Sequence, residues 1–173
     1  MQPVRVIVLM GPSGSGKSTL GKLLGSELGW PFYDGDDYHP EGNIAKMSQG
    51  LALNDQDRLP WLRALHDLAA GILTGRGHGI LACSALKESH RRILHGGLGG
   101  LGMVWLKAPF SVLESRLKSR VGHFFKPELL PSQFEILEEP EDALVLDASR
   151  DPALLVAAIR KAFRLGPAAP PVS

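Results

Sequence analysis

The chain has 173 residues, with 19 Lys and Arg against 18 Asp and Glu and a formal net charge of +1. That length suits one domain with a real core, and the balanced charge leaves no electrostatic footprint for nucleic acid or an anionic membrane. A single cysteine, Cys83, excludes a disulfide framework and a cysteine metal site.

No apolar run approaches the roughly 20 residues of a membrane helix. Met1-Gln-Pro-Val-Arg5 leads directly into an apolar segment with no space for a signal peptide, so the expected location is cytoplasmic.

Strand-like and helix-like segments alternate along the chain. This predicts an α/β fold with a parallel sheet, in a single domain over 1–165. The first strand is expected over 5–10 and its helix runs to Leu28. A short second strand over 30–33 ends at Asp34, and a short helix follows over 43–48. Asp55 is the expected N-cap of a long helix reaching Leu73, with Trp61, Leu62, Leu65, Leu68, Ala69 and Ile72 on its apolar face. The third strand is 79–83, and 87–94 is helical. Residues 95–102 read as a flexible glycine-rich connector. The fourth strand is 103–106, followed by helices over 111–120 and 130–137. The fifth strand is 143–146. Asp151 caps a last helix over 152–163, with Pro152 in its first turn. The tail 166–173 is proline-rich and expected to be disordered.

Between the first strand and its helix lies Gly11-Pro12-Ser13-Gly14-Ser15-Gly16-Lys17-Ser18, which satisfies G-x-x-x-x-G-K-[ST] at every position. Strand, glycine-rich loop and helix form the context a phosphate-binding loop requires. The glycines let the backbone wrap around phosphate with its N–H groups turned inward. The helix N-terminus adds partial positive charge. These eight residues are the candidate nucleotide-binding set. Lys17 is expected to reach the β- and γ-phosphates, and Ser18 to ligate Mg²⁺.

Asp34-Gly-Asp36 falls at the end of the second strand, beside the phosphate loop if both strands share a sheet. One carboxylate there can hold Mg²⁺, and another can orient a hydroxyl and accept its proton. No apolar strand ends in an aspartate suited to the usual metal-side role, so Asp34 and Asp36 are the metal-side candidates. The third strand instead runs into Cys83-Ser84-Ala-Leu-Lys87. Arg58, at the start of the long helix, suits bidentate recognition of a carboxylate. Arg116 and Arg120 stand four apart on the expected helix and share one face. With Gly122 and Pro127 following, they suit a hinged lid over about 120–131. His39, just before Pro40, reads as a structural turn residue. Trp61 and Trp105 read as core, and Cys83 as a buried, inert thiol.

Together, the segments 11–18, 34–40, 43–47, 53–62, 82–87, 122–125, 129–134 and 137–140 resemble the gluconokinases, the small ATP-dependent kinases of the P-loop gluconate kinase family. The likeness covers about 6–140. Departures are Pro12 where the family often has Val, His90 where Tyr is expected, and the glycine-rich loop around 96–102. The resemblance implies a nucleoside monophosphate kinase-like fold: three layers, α/β/α, around a five-stranded parallel sheet with a lid. It implies transfer of the ATP γ-phosphate to the 6-hydroxyl of D-gluconate, with ATP and Mg²⁺ as cofactors and a homodimeric assembly. By analogy Asp36 contacts the accepting hydroxyl and Asp34, with Ser18, the metal shell. Arg58 holds the substrate carboxylate, with Ser84 and Lys87 on the substrate side. Arg116 lies over the adenine, and Arg120 touches the phosphates as a catalytic residue beside Lys17 and Asp36.

Two other readings stay open at this point. One is a kinase for shikimate or a nucleoside monophosphate, although shikimate kinase usually has a glycine triplet where this chain has Ser84-Ala-Leu-Lys87. The other is a non-catalytic nucleotide-binding protein on the same fold.

Overall fold

Five parallel strands form the middle layer: β1 (Val6–Met10), β2 (Phe32–Asp34), β3 (Gly79–Cys83), β4 (Leu101–Lys107) and β5 (Leu144–Asp147), in the order β2-β3-β1-β4-β5. The computed structural model describes residues 2–122 and 126–166. His123, Phe124 and Phe125 of the expected lid, and 167–173 of the expected tail, lie outside the described residues. The helices are α1 (Lys17–Leu28), α2 (Glu41–Ser48), α3 (Asp55–Thr74), α4 (Glu88–His95), α5 (Phe110–Lys118), α6 (Leu130–Ile136) and α7 (Pro152–Phe163). Among the described residues no helix is long and apolar enough to cross a membrane.

β1 is central because all five of its side chains are apolar, and each is completely buried. A strand buried on both faces needs a continuous apolar run. Its alternate residues serve the two cores. Val6, Val8 and Met10 pack with Trp61, Leu62 and Leu65 of α3. Ile7 and Leu9 pack with Leu20 and Leu24 of α1 and with Val156 and Ile159 of α7. Each fully buried Leu or Ile contributes roughly 1.5–3 kcal/mol. The pairings Met10 with Cys83 and Met10 with Trp105 align the C-terminal ends of β1, β3 and β4 at one edge of the sheet. Loops from those ends form the site, as expected for an open α/β sheet.

Three local expectations change. The N-cap of α3 is Asn54, one residue before Asp55. Asn54 Oδ1 accepts from Asp57 N at 2.8 Å while Asn54 N donates to Asp57 Oδ2 at 3.0 Å. This reciprocal box satisfies two groups at once, which a cap at Asp55 would not. β4 begins at Leu101, inside the expected connector. Gly102 lies in the strand, where a Cβ would come within 2.9 Å of both Ile7 Cδ1 and Val4 Cγ1. Its glycine therefore serves close packing rather than flexibility. Finally, α5 stops at Lys118. Ser119 Oγ donates to Arg116 O at 2.8 Å and competes for a helical carbonyl. Arg116 and Arg120 consequently do not share a helix face.

Candidate active site

The phosphate loop has the geometry its glycines allow. Gly11 has φ +148°, and a Cβ there would lie 2.8 Å from Ser15 Oγ and 2.9 Å from Leu106 O. Gly16, at φ +89°, is the N-cap of α1 and makes no side-chain cap. The amides at the start of α1 are thus left for a ligand. Lys17 Nζ donates to Gly11 O at 2.8 Å and to Pro12 O at 3.0 Å, so the ammonium folds back across the loop. Desolvation pushes its pKa below the usual lysine value; the charges of Asp36 and Asp34 act in the opposite direction. Ser13, Gly14, Gly16, Lys17 and Ser18 line the main cleft. Gly11 and Pro12 contribute through their carbonyls, while Ser15 lines a neighbouring hollow.

The acidic turn meets this loop directly. Ser18 Oγ donates to Asp34 Oδ2 at 2.8 Å, and Asp36 N donates to Asp34 Oδ1 at 3.0 Å. Asp34 therefore caps the 3₁₀ turn Gly35–Tyr38 and faces the first turn of α1 at the same time. Gly35 is obligatory here because a Cβ would collide with the backbone oxygen of Ala82 in β3. Trp61 Nε1 donates to Gly35 O at 2.7 Å and ties the turn to α3. Asp36 lines the cleft with Lys17. The hydroxyl and carboxylate oxygens of Ser18 and Asp34 are hard donors of the type Mg²⁺ prefers, and a pair leaves space for the waters that ion retains.

Arg58 and Ser84 also line the cleft. Arg58 is 9% exposed, and its Nη1 donates to Leu53 O at 2.6 Å. It does not pair with Asp57, whose carboxylate is taken by Lys46 at 2.8 and 2.9 Å. Ser84 O accepts from Gly11 N at 3.3 Å. Lys87, expected on the substrate side, is not among the residues that line the cleft. Its Nζ is 2.8 Å from Asp55 Oδ2, and His90 Nε2 is 3.1 Å from Asp55 Oδ1. Hydrogen bonds from Lys87 and then His90 hold Asp55 down at about 2. The group braces the start of α3, which carries Arg58. His90 thus packs as a buried strut between α4 and α3.

Arg116 Nη1 donates to Gly14 O at 3.2 Å and Nη2 to Ala148 O at 2.9 Å. It clamps the phosphate loop to the turn after β5 and lines a second hollow with Thr19, Ser149, Asp151 and Pro152. Arg120 lines both this hollow and the main cleft. β5 ends in an aspartate, Asp147. Asp147, however, lies on the edge strand, and its Oδ1 accepts from Ser149 N and Oγ at 2.9 and 2.6 Å. It closes a turn and is not a metal-side carboxylate. Among the described residues no cluster of three or more His, Cys, Asp or Glu could hold a metal. Cys83 is buried, and desolvation raises its thiol to about 12, as an inert thiol requires.

The sequence profile of the shikimate kinase family matches residues 13–141. The thermoresistant gluconokinase of Escherichia coli K12 is 44% identical over 93% of this chain and 94% of its own length. A probable gluconokinase of Mus musculus is 43% identical over 95% of this chain and all of its own length. The crystal structure of a gluconokinase from Sinorhizobium meliloti 1021 superposes with a TM-score of 0.81 at 38% identity, covering 95% of this chain and 94% of that one. The chain belongs to the gluconokinase family.

Among the cleft residues, His39 and Gln133 have no site role in the sequence reading, and Asn43, outside the cleft lining, bonds His39. Gln133 Oε1 accepts from Ser13 N at 2.8 Å and joins α6 to the phosphate loop. Asn43 and Gln133 are buried polar residues on helices, at 5% and 8% exposure. A polar residue on the inner face of an amphipathic segment was the available signal. Above the cleft, Met47 and Leu53 pack in one cluster with Leu113, Leu117, Leu129 and Leu130, so the roof is apolar.

Proposed function

We infer that the protein transfers the γ-phosphoryl group of ATP to the 6-hydroxyl of D-gluconate, giving 6-phospho-D-gluconate and ADP. The observation that carries this is one cleft with Lys17 at the phosphate end, Asp36 beside it and the buried Arg58 on the acceptor side, in a chain of the gluconokinase family.

In this reading Arg58 holds the gluconate carboxylate and Asp36 positions the 6-hydroxyl. As the O6–P bond forms, the bond from phosphorus to the β,γ-bridging oxygen breaks, and that oxygen leaves with its electron pair on ADP. The hydroxyl proton passes to Asp36. Lys17 and Arg120 stabilise charge spread over the transferred group, and the amides of Gly14 and Gly16 cradle the phosphates. Ser18 and Asp34 would hold Mg²⁺, which when bound neutralises charge on the β- and γ-phosphates. Arg116 orders the hollow that takes the nucleoside. Arg120 and Leu129, near the two ends of the expected lid, line the cleft and help to keep water, a competing acceptor, away from the γ-phosphate. A homodimeric assembly belongs to the same proposal and is supported by the family resemblance.

Incubating purified protein with ATP, Mg²⁺ and D-gluconate tests the reaction. NMR should show a phosphomonoester on C6 and one ADP per product. Absence of that product, with another acceptor phosphorylated well, would refute the assignment.

A further inference from the structure

His39 has a more specific environment than a turn residue needs. Asn43 is buried, and its Nδ2 donates to Asp57 O at 2.9 Å. A backbone carbonyl only accepts, so this contact assigns the amide orientation. The same nitrogen lies 3.3 Å from His39 Nδ1. An NH₂ group can only donate there, so Nδ1 is the acceptor nitrogen of the ring. The hydrogen of the neutral imidazole then sits on Nε2. Burial, and secondarily the charge of Arg58, push His39 down to about 4. The ring is therefore neutral near pH 7.

The ring plane is also fixed. It stacks on Trp61 with centroids 4.2 Å apart and planes 13° apart. The Trp61 indole is itself pinned by its hydrogen bond to Gly35 O. His39 lines the same cleft as Asp36 and Arg58. Nδ1 is engaged, so Nε2–H is the donor this side chain has left for a ligand.

We propose that His39 is a specificity-determining residue whose Nε2–H donates to a hydroxyl oxygen along the polyol chain of the acceptor, between the end held by Arg58 and the end held by Asp36. The assignment rests on the gluconate reading of the cleft and deepens it. Arg58 already supplies the charge that a carboxylate needs. A neutral, oriented donor adds discrimination between C–OH and C–H. An acceptor lacking that hydroxyl leaves the donor unpaired in a desolvated site, which is how such sites reject deoxy analogues.

The test compares the wild type with His39→Phe and His39→Gln, using gluconate and its monodeoxy analogues at C2 to C5. Phe keeps a ring to stack on Trp61 but removes both nitrogens; Gln restores an N–H donor near the position of Nε2. For His39→Phe the expected result is a KM for gluconate raised about tenfold, the size of one well-made hydrogen bond. KM for ATP should stay at its wild-type value, and the melting temperature should fall in His39→Phe, because Asn43 Nδ2 loses an acceptor. One deoxy analogue should be penalised by the wild type and no longer penalised, relative to gluconate, by His39→Phe. His39→Gln should recover part of the loss. An unchanged KM for gluconate with the wild-type ranking of the deoxy series would overturn the proposal. So would an equal rise in both KM values, which marks a purely structural role. If the wild type turns over another acceptor and not gluconate, the functional reading itself fails, and this proposal with it.

Discussion

The two sides of the cleft are built by different means. The phosphate side is local: eight consecutive residues, 11–18, form a loop whose lysine bonds the carbonyls of Gly11 and Pro12 in the same loop. The acceptor side is assembled from distant segments. On the proposed reading Asp36 comes from the turn after β2, Arg58 from α3 and Ser84 from the segment after β3. Its parts are held by cross-links such as Trp61 to Gly35 and Asn43 to Asp57. On the proposed reading, the reaction type is encoded in contiguous sequence and the choice of acceptor in packing.

The largest expected effect falls on the local side. On the proposed mechanism Lys17→Ala removes a charge that acts on the transferred phosphoryl group, along with two hydrogen bonds inside the loop, and no core packing. The expected loss is on the order of 3–4 kcal/mol of transition-state stabilisation, or roughly a hundredfold to a thousandfold in kcat. Thermal unfolding should remain near the wild-type midpoint. A variant with wild-type kcat would remove the phosphate side from the chemistry.

Asp36→Asn tests the assembled side. It keeps the shape and a hydrogen-bonding group but removes the proton acceptor. A fall in kcat of about a hundredfold, with ATP affinity retained, is expected. Loss of ATP affinity with normal turnover would move Asp36 into the metal shell with Asp34.

Legibility follows the same division. The phosphate loop was readable because spacing and flanks are local signals. The five strands were readable because β1 and β3 are continuous apolar runs. That Asp34, Asp36 and Arg58 line one cleft was legible because strand ends and helix starts place them at the edge of the sheet. His39 and Gln133 were not, since their roles depend on partners 22 and 120 residues away, Trp61 and Ser13. The partner of Lys87 was hidden for a related reason. A lysine near the site has several carboxylates within reach, and sequence does not show that Asp55 is the one it meets. The strand character of Leu101 and Gly102 was hidden because glycine in a run of glycines reads as a loop. Only the packing of Ile7 and Val4 against Gly102 explains its place in β4.

A smaller effect sharpens the comparison from the backbone. Gly35→Ala places a Cβ against Ala82 O, and the turn must shift, at a cost of roughly 1–3 kcal/mol in stability. Asp34 and Asp36 flank this glycine, so kcat should fall as well. Gly42→Ala is the control. A Cβ there meets nothing within 4 Å, and Gly42 lies in α2. It should be neutral or stabilising by up to about 1 kcal/mol. Paired urea denaturation and steady-state assays distinguish the two. Equal behaviour would mean that the acidic turn is not wedged against β3.

The smallest effect tests whether the acceptor side depends on its scaffold. Asn54→Ala removes the side-chain half of the capping box at the start of α3. About 1 kcal/mol of stability should be lost, visible as a lower urea midpoint at constant m-value. KM for gluconate should rise modestly if Arg58, one turn along, loses its register. An unchanged midpoint would show that the Lys46–Asp57 and Lys87–Asp55 contacts hold this end of α3 without the cap.

The most direct test of the central claim, that the distant residues of the acceptor side form a site for gluconate, is ADP release with one acceptor at a time under identical ATP and Mg²⁺. The acceptors are D-gluconate, other sugar acids, shikimate and nucleoside monophosphates, each ranked by kcat/KM. Gluconate should lead, and shikimate and the nucleotides should stay at the rate of ATP hydrolysis without acceptor. Shikimate or a nucleoside monophosphate leading, with gluconate at background, would contradict the account.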